Sequence, residues 1–165
     1  FPYAMEVIKQ KKLDITIKDF IQTGKPLLGI CLGMQLLMDS SIEFYENKGL
    51  GVISGTTKKF KLINDKNTKY PVPQIGWNKI FNEQKSWENT ILENNSNEDF
   101  MYFVHSYYIL TNDDIILSKT KYGETEYCSS FQKENVIGVQ FHPEKSGEIG
   151  LKIYKKIKEI ISNSS

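Results

Sequence analysis

The spacing of apolar positions changes several times along this chain, and each change marks an element. Met5 and Ile8, ahead of Lys9, Lys11 and Lys12, form a partly amphipathic stretch that predicts a helix. Asp14 is placed to cap a second helix, whose apolar positions Ile17, Phe20 and Ile21 follow helical spacing, and Gly24 supplies its stop. Lys25-Pro26 then leads into Leu27-Leu28-Gly29-Ile30, a short unbroken apolar run of the kind found in a strand buried on both faces. Helix, glycine stop and buried strand in that order predict an α/β unit. Residues 33 to 40 read as a further helix.

The middle of the chain follows a different rhythm. Five Gly or Pro between 51 and 76, separated by short apolar pieces, predict short strands and loops over residues 50 to 81. Residues 82 to 99 are polar and rich in Asn, which predicts a surface excursion. The aromatic and β-branched run Tyr102-Phe103-Val104-His105-Ser106-Tyr107-Tyr108-Ile109 predicts one strand, and further strands are expected at 115–119, 125–132 and 136–141. The last helix starts near Ser146 and buries Ile149, Ile153, Ile157 and Ile160, with Lys152, Lys155, Lys156 and Lys158 on its solvated face. A basic binding patch is the alternative reading of those lysines. The expected fold class is α/β, with a mainly parallel (mixed) sheet flanked by helices.

Composition narrows the choice of function. The 165 residues are one domain's worth, so residues 1–165 are expected to form a single domain. A net charge of +1 argues against a nucleic-acid partner, which needs a clustered basic excess. No apolar run approaches the ~20 residues that span a bilayer. With two cysteines, Cys31 and Cys128, two histidines and no Cys-x-x-Cys, neither a disulfide framework nor a structural zinc site is expected. The first residues carry no basic region followed by an apolar core. A cytoplasmic protein with free thiols is the expectation.

Two segments carry candidate chemistry. Gly29-Ile30-Cys31-Leu32-Gly33 is the thiol form of the G-x-S-x-G elbow, between an apolar strand and a helical segment. Such a turn holds the nucleophile in a strained conformation, and small residues two positions either side avoid clashes. It also sets the sulfur at a helix N-terminus, where the dipole favours thiolate. The competing reading makes Cys31 a small buried hydrophobe. A thiol nucleophile needs a base, and the base an orienting group. His142 and Glu144, in Val139-Gln140-Phe141-His142-Pro143-Glu144, stand two apart, so extended backbone points both to one side while Pro143 stiffens the link. Taken alone, the same segment also reads as a polar strand end with an exposed His and Glu. His105 sits mid-strand among aromatics and reads as a structural histidine rather than a second base, and Cys128 reads as structural.

Taken together, the Gly29-x-Cys31-x-Gly33-x-Gln35 elbow followed by a His-x-Glu near the C-terminus resembles the class I (triad-type) glutamine amidotransferases, over essentially the whole chain. Pro73-Gln74-Ile75-Gly76-Trp77-Asn78, Tyr102-Phe103-Val104-His105-Ser106-Tyr107 and Phe141-His142-Pro143-Glu144-Lys145-Ser146-Gly147 look like the branch that serves imidazole glycerol phosphate synthase. The resemblance implies Cys31 as nucleophile, His142 as general base and acid, and Glu144 as the orienting carboxylate. It implies Gly33, Gln35, Glu43, Ser106 and Tyr107 along the glutamine site, and the Leu32 N–H in the oxyanion hole. It also implies that Trp77, His105 and Lys145 face a (β/α)8-barrel cyclase subunit in a heterodimer, with no metal or cofactor. Relatives in this branch begin with a strand, a helix, a strand and a Pro-Gly-Val-Gly loop ahead of the segment matching Phe1-Pro2, so the chain is expected to lack its natural N-terminal segment. That loop carries the second oxyanion donor, and loss of one such donor costs about 10²–10³ in rate.

Three other readings stay open. A paralogous glutaminase would supply ammonia for amidino sugars of surface polysaccharides. A catalytically impaired binding subunit would keep the fold without turnover. A free-standing thiol hydrolase would share the elbow and the histidine but would not need Gln35 or Lys145-Ser146.

Overall fold

The computed structural model describes residues 1–61, 70–82 and 84–163. Two helices open the chain, α1 (Pro2–Gln10) and α2 (Leu13–Gln22). Asp14 lies inside the first turn of α2 rather than at its cap, a position taken by Lys12 in the left-handed conformation. Gly24, at φ +76°, ends that helix as expected. The chain continues through β1 (Leu27–Ile30), α3 (Leu32–Leu36), β2 (Met38–Ser41), β3 (Asn47–Lys48) and β4 (Ile53–Lys59). Beyond the undescribed residues come β5 (Gln74–Lys79), β6 (Phe100–His105), β7 (Tyr107–Thr111), β8 (Ile116–Tyr122), β9 (Thr125–Lys133), β10 (Val136–Val139) and α4 (Gly147–Asn163). Part of the 50–81 segment expected to hold short strands lies outside the described residues.

Among the described residues the main sheet has eight strands, in the order β1-β10-β9-β7-β4-β2-β3, with β8 paired to β9. The α/β class and the mixed sheet stand as expected. The parallel pairings are β1 with β10 and β2 with β4, and the other pairings are antiparallel. Alternate residues of each central strand enter separate cores. Leu28, Ile137 and Val139 pack with Ile153 of α4, whereas Leu27, Val136 and Phe131 pack with Met5 of α1. Helices therefore cover both faces. No described helix is long and apolar enough to cross a membrane.

Three expectations are corrected by tertiary hydrogen bonding. The helix expected over 33–40 stops at Leu36, because the carbonyls of Leu36, Leu37 and Met38 accept N–H groups from Leu50, Val52, Ile53 and Gly51. Those bonds draw Met38–Ser41 into the sheet. The single strand expected at 102–109 is two strands in two sheets: β6 pairs with β5, while β7 pairs with β4 and β9. The break falls at Ser106, whose carbonyl accepts the Phe60 N–H. The polar 82–99 excursion drops Trp87, Ile91 and Leu92 into the core, and the Trp87 indole N–H donates to the Leu117 carbonyl at 2.7 Å.

Alternation along β6 also corrects the place of His105. Met101, Phe103 and His105 point inward, and Phe100, Tyr102 and Val104 outward. His105 is buried against Phe60, Phe103 and Tyr127, not turned to a partner face. Its Nδ1 lies 2.8 Å from the Tyr107 carbonyl, which can only accept, so the proton sits on Nδ1. Burial is the main cause that lowers its pKa to about 4. A histidine depressed in this way is neutral when folded but protonates in the unfolded chain below about pH 6.5. The unfolded state then binds more protons, so stability falls as pH drops from about 6.5 towards 4, by up to ~3 kcal/mol from this residue. Urea titrations of the parent and His105→Gln at pH 7.5 and 4.5 are expected to show a smaller acid loss in the variant.

Candidate active site

The site forms where two adjacent parallel strands end. Ile30 of β1 lies beside Val139 of β10, and the Cys31 N–H donates to the Val139 carbonyl at 2.7 Å, the last bond of that ladder. Cys31 then turns at φ 49°, ψ −106°, and α3 starts at the next residue. A positive φ in a non-glycine residue at a strand-to-helix turn is stored strain of the kind found at nucleophile elbows. The turn is possible because Gly29 has no Cβ: one built there would sit 2.8 Å from the Gly33 carbonyl carbon. Gly33 differs from the expectation of a crowded elbow, since a Cβ there would meet nothing within 4 Å. It borders open space beside the sulfur.

On the neighbouring strand the chain runs through Gln140 and Phe141 to His142. His142 has extended backbone, but Pro143–Lys145 is a turn of 3-10 helix rather than a continued strand. The turn swings Glu144 back, and its Oε1 lies 2.6 Å from His142 Nδ1. The backbone of His142 is held from both sides. Its N–H donates to the Tyr102 carbonyl at 2.9 Å, and its carbonyl accepts from the Ser146 hydroxyl and the Lys145 N–H. Its Nε2 is buried with no hydrogen-bond partner among the described residues. An imidazole with one nitrogen tied to a carboxylate and the other unpartnered is oriented for proton transfer.

Around Cys31 Sγ stand the Val104 carbonyl at 3.9 Å and the Gln140 side-chain amide nitrogen at 3.5 Å. Burial pushes the thiol pKa up, opposed by the Leu32 N–H and then by the Gln140 amide. The resting sulfur is therefore a neutral thiol that needs a base. Cys128 is wholly buried, its thiol pushed up further by desolvation, with no elbow around it.

The remaining sequence candidates separate into two groups. Gln35 is buried, and its amide nitrogen donates to the Tyr107 carbonyl at 2.8 Å and to Gln140 Oε1 at 3.0 Å. Ser106 is half-buried at the β6–β7 break, next to Tyr107. The Tyr107 phenol is pushed up by burial and then by the charge of Glu43, so these two side chains share one neighbourhood. Trp77 and Lys145 lie on the outer side instead. Trp77 and Tyr102 are cross-strand partners with rings 6.1 Å apart, and Lys145 Nζ stands 5.8 Å from the Tyr102 ring. His105 joins neither group. Gln140 escaped the sequence reading, although a polar residue inside an apolar strand end is the signal that would have found it. No group of three or more His, Cys, Asp or Glu among the described residues is placed to hold a metal ion.

A strained cysteine elbow beside an imidazole–carboxylate pair, on a mixed sheet between helices, defines a thiol-dependent amidotransferase site. Residues 8–157 match the family model for glutamine amidotransferase class-I, and the chain belongs to that family. Among its curated relatives is the imidazole glycerol phosphate synthase subunit HisH of Listeria innocua, 42% identical over 97% of this chain and 73% of that protein. The HisH of Aquifex aeolicus is 41% identical over 96% of this chain and 72% of its own length. Solved structures share the fold at lower identity. A GMP synthase subunit of Thermoplasma acidophilum superposes with a TM-score of 0.64 at 21% identity, covering 98% of this chain and 68% of that one. A glutamine amidotransferase of Thermotoga maritima gives 0.55 at 17%, covering 94% and 54%.

The packing of the elbow is open to a direct test. Gly29→Ala forces a methyl against the Gly33 backbone, and overpacking of this kind costs about 1–3 kcal/mol. Urea denaturation is expected to show that loss, whereas Gly33→Ala, which meets open space, costs much less.

Proposed function

We propose that this chain is the glutaminase subunit of an imidazole glycerol phosphate synthase, acting in histidine biosynthesis, and that Cys31, His142 and Glu144 form its catalytic triad. The observation that carries the triad is the convergence of the Cys31 elbow with a His142 whose Nδ1 is tied to Glu144 at 2.6 Å and whose buried Nε2 is unpartnered. The synthase assignment rests on the HisH relatives, which match at 38–42% identity over nearly the whole chain.

The chemistry follows from these positions. His142 Nε2 takes the proton of the neutral Cys31 thiol, and the thiolate attacks the side-chain amide carbon of glutamine. The carbon–nitrogen bond breaks, and His142 returns the proton to the departing ammonia, leaving a γ-glutamyl thioester on Cys31. Water deprotonated by His142 attacks the thioester, glutamate leaves, and the thiol is restored. Glu144 holds the imidazole in one tautomer and stabilises its charged form. The Leu32 N–H, at the start of α3 and directed to Cys31, is a donor for the oxyanion. Gly33, Gln35, Glu43, Ser106 and Tyr107 border the glutamine.

Ammonia released into water is captured as ammonium, so the acceptor belongs on a subunit docked over this site. We assign docking to the outer face of β5 and β6, where Ile75, Trp77 and Phe100 are about half exposed or more (63%, 56% and 49%). Large aromatic anchors of this kind dominate interfaces. The partner of this reading is a (β/α)8-barrel cyclase, in a cytoplasmic heterodimer. The same ribbon reaches the chemistry, since the Tyr102 carbonyl accepts the His142 N–H.

Cys31→Ala is expected to abolish glutamate release from glutamine, measured by a coupled dehydrogenase assay. Parent-level activity in that variant would reject the triad. Glu144→Gln is expected to lower kcat by about 10²-fold or more with a small change in KM, as loss of an orienting carboxylate does. Titration with a barrel subunit is expected to stimulate the parent, and Trp77→Ala to weaken that stimulation while basal turnover persists. Full activity without a partner would favour a free-standing hydrolase.

A further inference from the structure

Gln140 lies two residues before His142, fully buried at the end of an apolar strand. A buried primary amide is costly unless its donors and its acceptor are both used. Here a chain of hydrogen bonds decides which end of that amide faces the nucleophile. It begins at the Tyr107 carbonyl, a backbone acceptor that has no proton to give. The group 2.8 Å from it must therefore be the Gln35 NH₂ rather than its oxygen. That same NH₂ stands 3.0 Å from the Gln140 side chain, so the Gln140 atom facing it must be Oε1. The NH₂ of Gln140 is then left to point the other way, where it meets Cys31 Sγ at 3.5 Å. His105 holds the starting carbonyl from the other side, 2.8 Å from its Nδ1. The polarity of the whole chain is set by an atom that cannot flip.

We propose that Gln140 is a positioning residue for the nucleophile: Gln35 locks its amide so that an N–H, and never the carbonyl oxygen, is presented to Cys31 Sγ, which favours the thiolate and fixes the sulfur rotamer. The proposal rests on Cys31 being the nucleophile. An N–H donor stabilises a thiolate far more than a thiol, because hydrogen bonds to charged acceptors are roughly twice as strong as neutral ones. The donor therefore acts in the step where charge appears on sulfur. The charged groups that act on Cys31 are Glu144, which opposes the thiolate, and Lys145, which supports it, with His142 as the exchanging base. Gln140 adds a neutral donor to that set, one that stays in place when pH or salt changes. It also gives Gln35 a role through Gln140, beside any contact with glutamine.

The test is the pH dependence of Cys31 alkylation by iodoacetamide in the full chain, read by mass spectrometry on the Cys31 peptide. The buried Cys128 serves as a reporter of unfolding in the same samples. Gln140→Met keeps the volume and removes the donor, and Gln140→Glu places negative charge against the sulfur. Loss of one charge-assisted hydrogen bond is expected to raise the alkylation midpoint by about one pH unit, or roughly tenfold slower labelling near neutral pH. Gln140→Glu is expected to shift it further. In steady state kcat falls while KM for glutamine stays near the parent value. If Cys128 becomes reactive in the Gln140 variants, Gln35→Met carries the test, since it frees the Gln140 amide to rotate and should move the midpoint the same way by less. An unchanged midpoint in the folded variants, or a raised KM with intact kcat, would overturn the proposal. Failure of the glutaminase reading looks different: Cys31→Ala would keep turnover, whatever the alkylation midpoint does.

Discussion

The parallel pairing of β1 with β10 is the constraint on which the rest depends. It is four residues long, Leu27 to Ile30 against Val136 to Val139. Because the strands run the same way, both end at the same edge, and the segments that leave them are delivered to one place. On one side that is the Cys31 elbow and on the other Gln140, Phe141 and His142. Open α/β sheets bind ligands outside the carboxyl ends of such strands for the same reason. An antiparallel pairing would have sent His142 to the far end of the sheet from Cys31. Gly29 and Gly138 face each other in this ladder, and a Cβ on Gly138 would collide with Phe131 and Met34. The two glycines thus let α3 and its sulfur come down close upon the strands.

The site combines strain with support. Cys31 sits in a conformation unfavourable to its own side chain, and the ladder bond to Val139 and the first helical bond from Gln35 hold it there. His142 is supported through the Pro143–Lys145 turn, with the Ser146 hydroxyl bonded to the His142 carbonyl and accepting the Tyr102 N–H. Tyr102 thereby contacts both ends of the turn through its backbone while its ring faces outward beside Trp77 and Lys145. A partner that pressed on this ribbon would act on the strand that anchors the base. Such a contact changes catalysis by moving His142 relative to Cys31, with no need to touch the glutamine.

Beneath the surface lies a second polar layer. His105, Tyr107, Gln35 and Gln140 form a hydrogen-bonded series running from the β5–β6 ribbon to the sulfur. Buried polar groups of this kind are costly unless satisfied, and here each bond fixes the direction of the next. The neutrality of His105 belongs to the same logic, since a charged imidazole in that position would stand in an apolar cage of Phe60, Phe103 and Tyr127 rings.

Read by itself, the sequence determined the α/β alternation at the start of the chain, the Ile-lined final helix, the elbow at Cys31 and the pairing of His142 with Glu144. These are encoded locally, in glycine spacing, apolar periodicity and residues two apart. Only the tertiary structure decided the points at which local preference and long-range pairing compete. The helix begun at Leu32 gives way to a strand after Leu36 because carbonyls there are claimed by residues 50–53. The aromatic run at 102–109 divides at Ser106 because two different sheets need its backbone. His105 faces inward because the alternation of β6, counted from its pairing with β5, leaves it on the core side. Gln140 was visible as a letter in an apolar strand, but its meaning depends on Gln35, more than a hundred residues earlier in the chain. Side-chain spacing along one segment carries the elbow and the histidine–carboxylate pair; which buried amide meets the sulfur is set by the register between strands far apart in sequence.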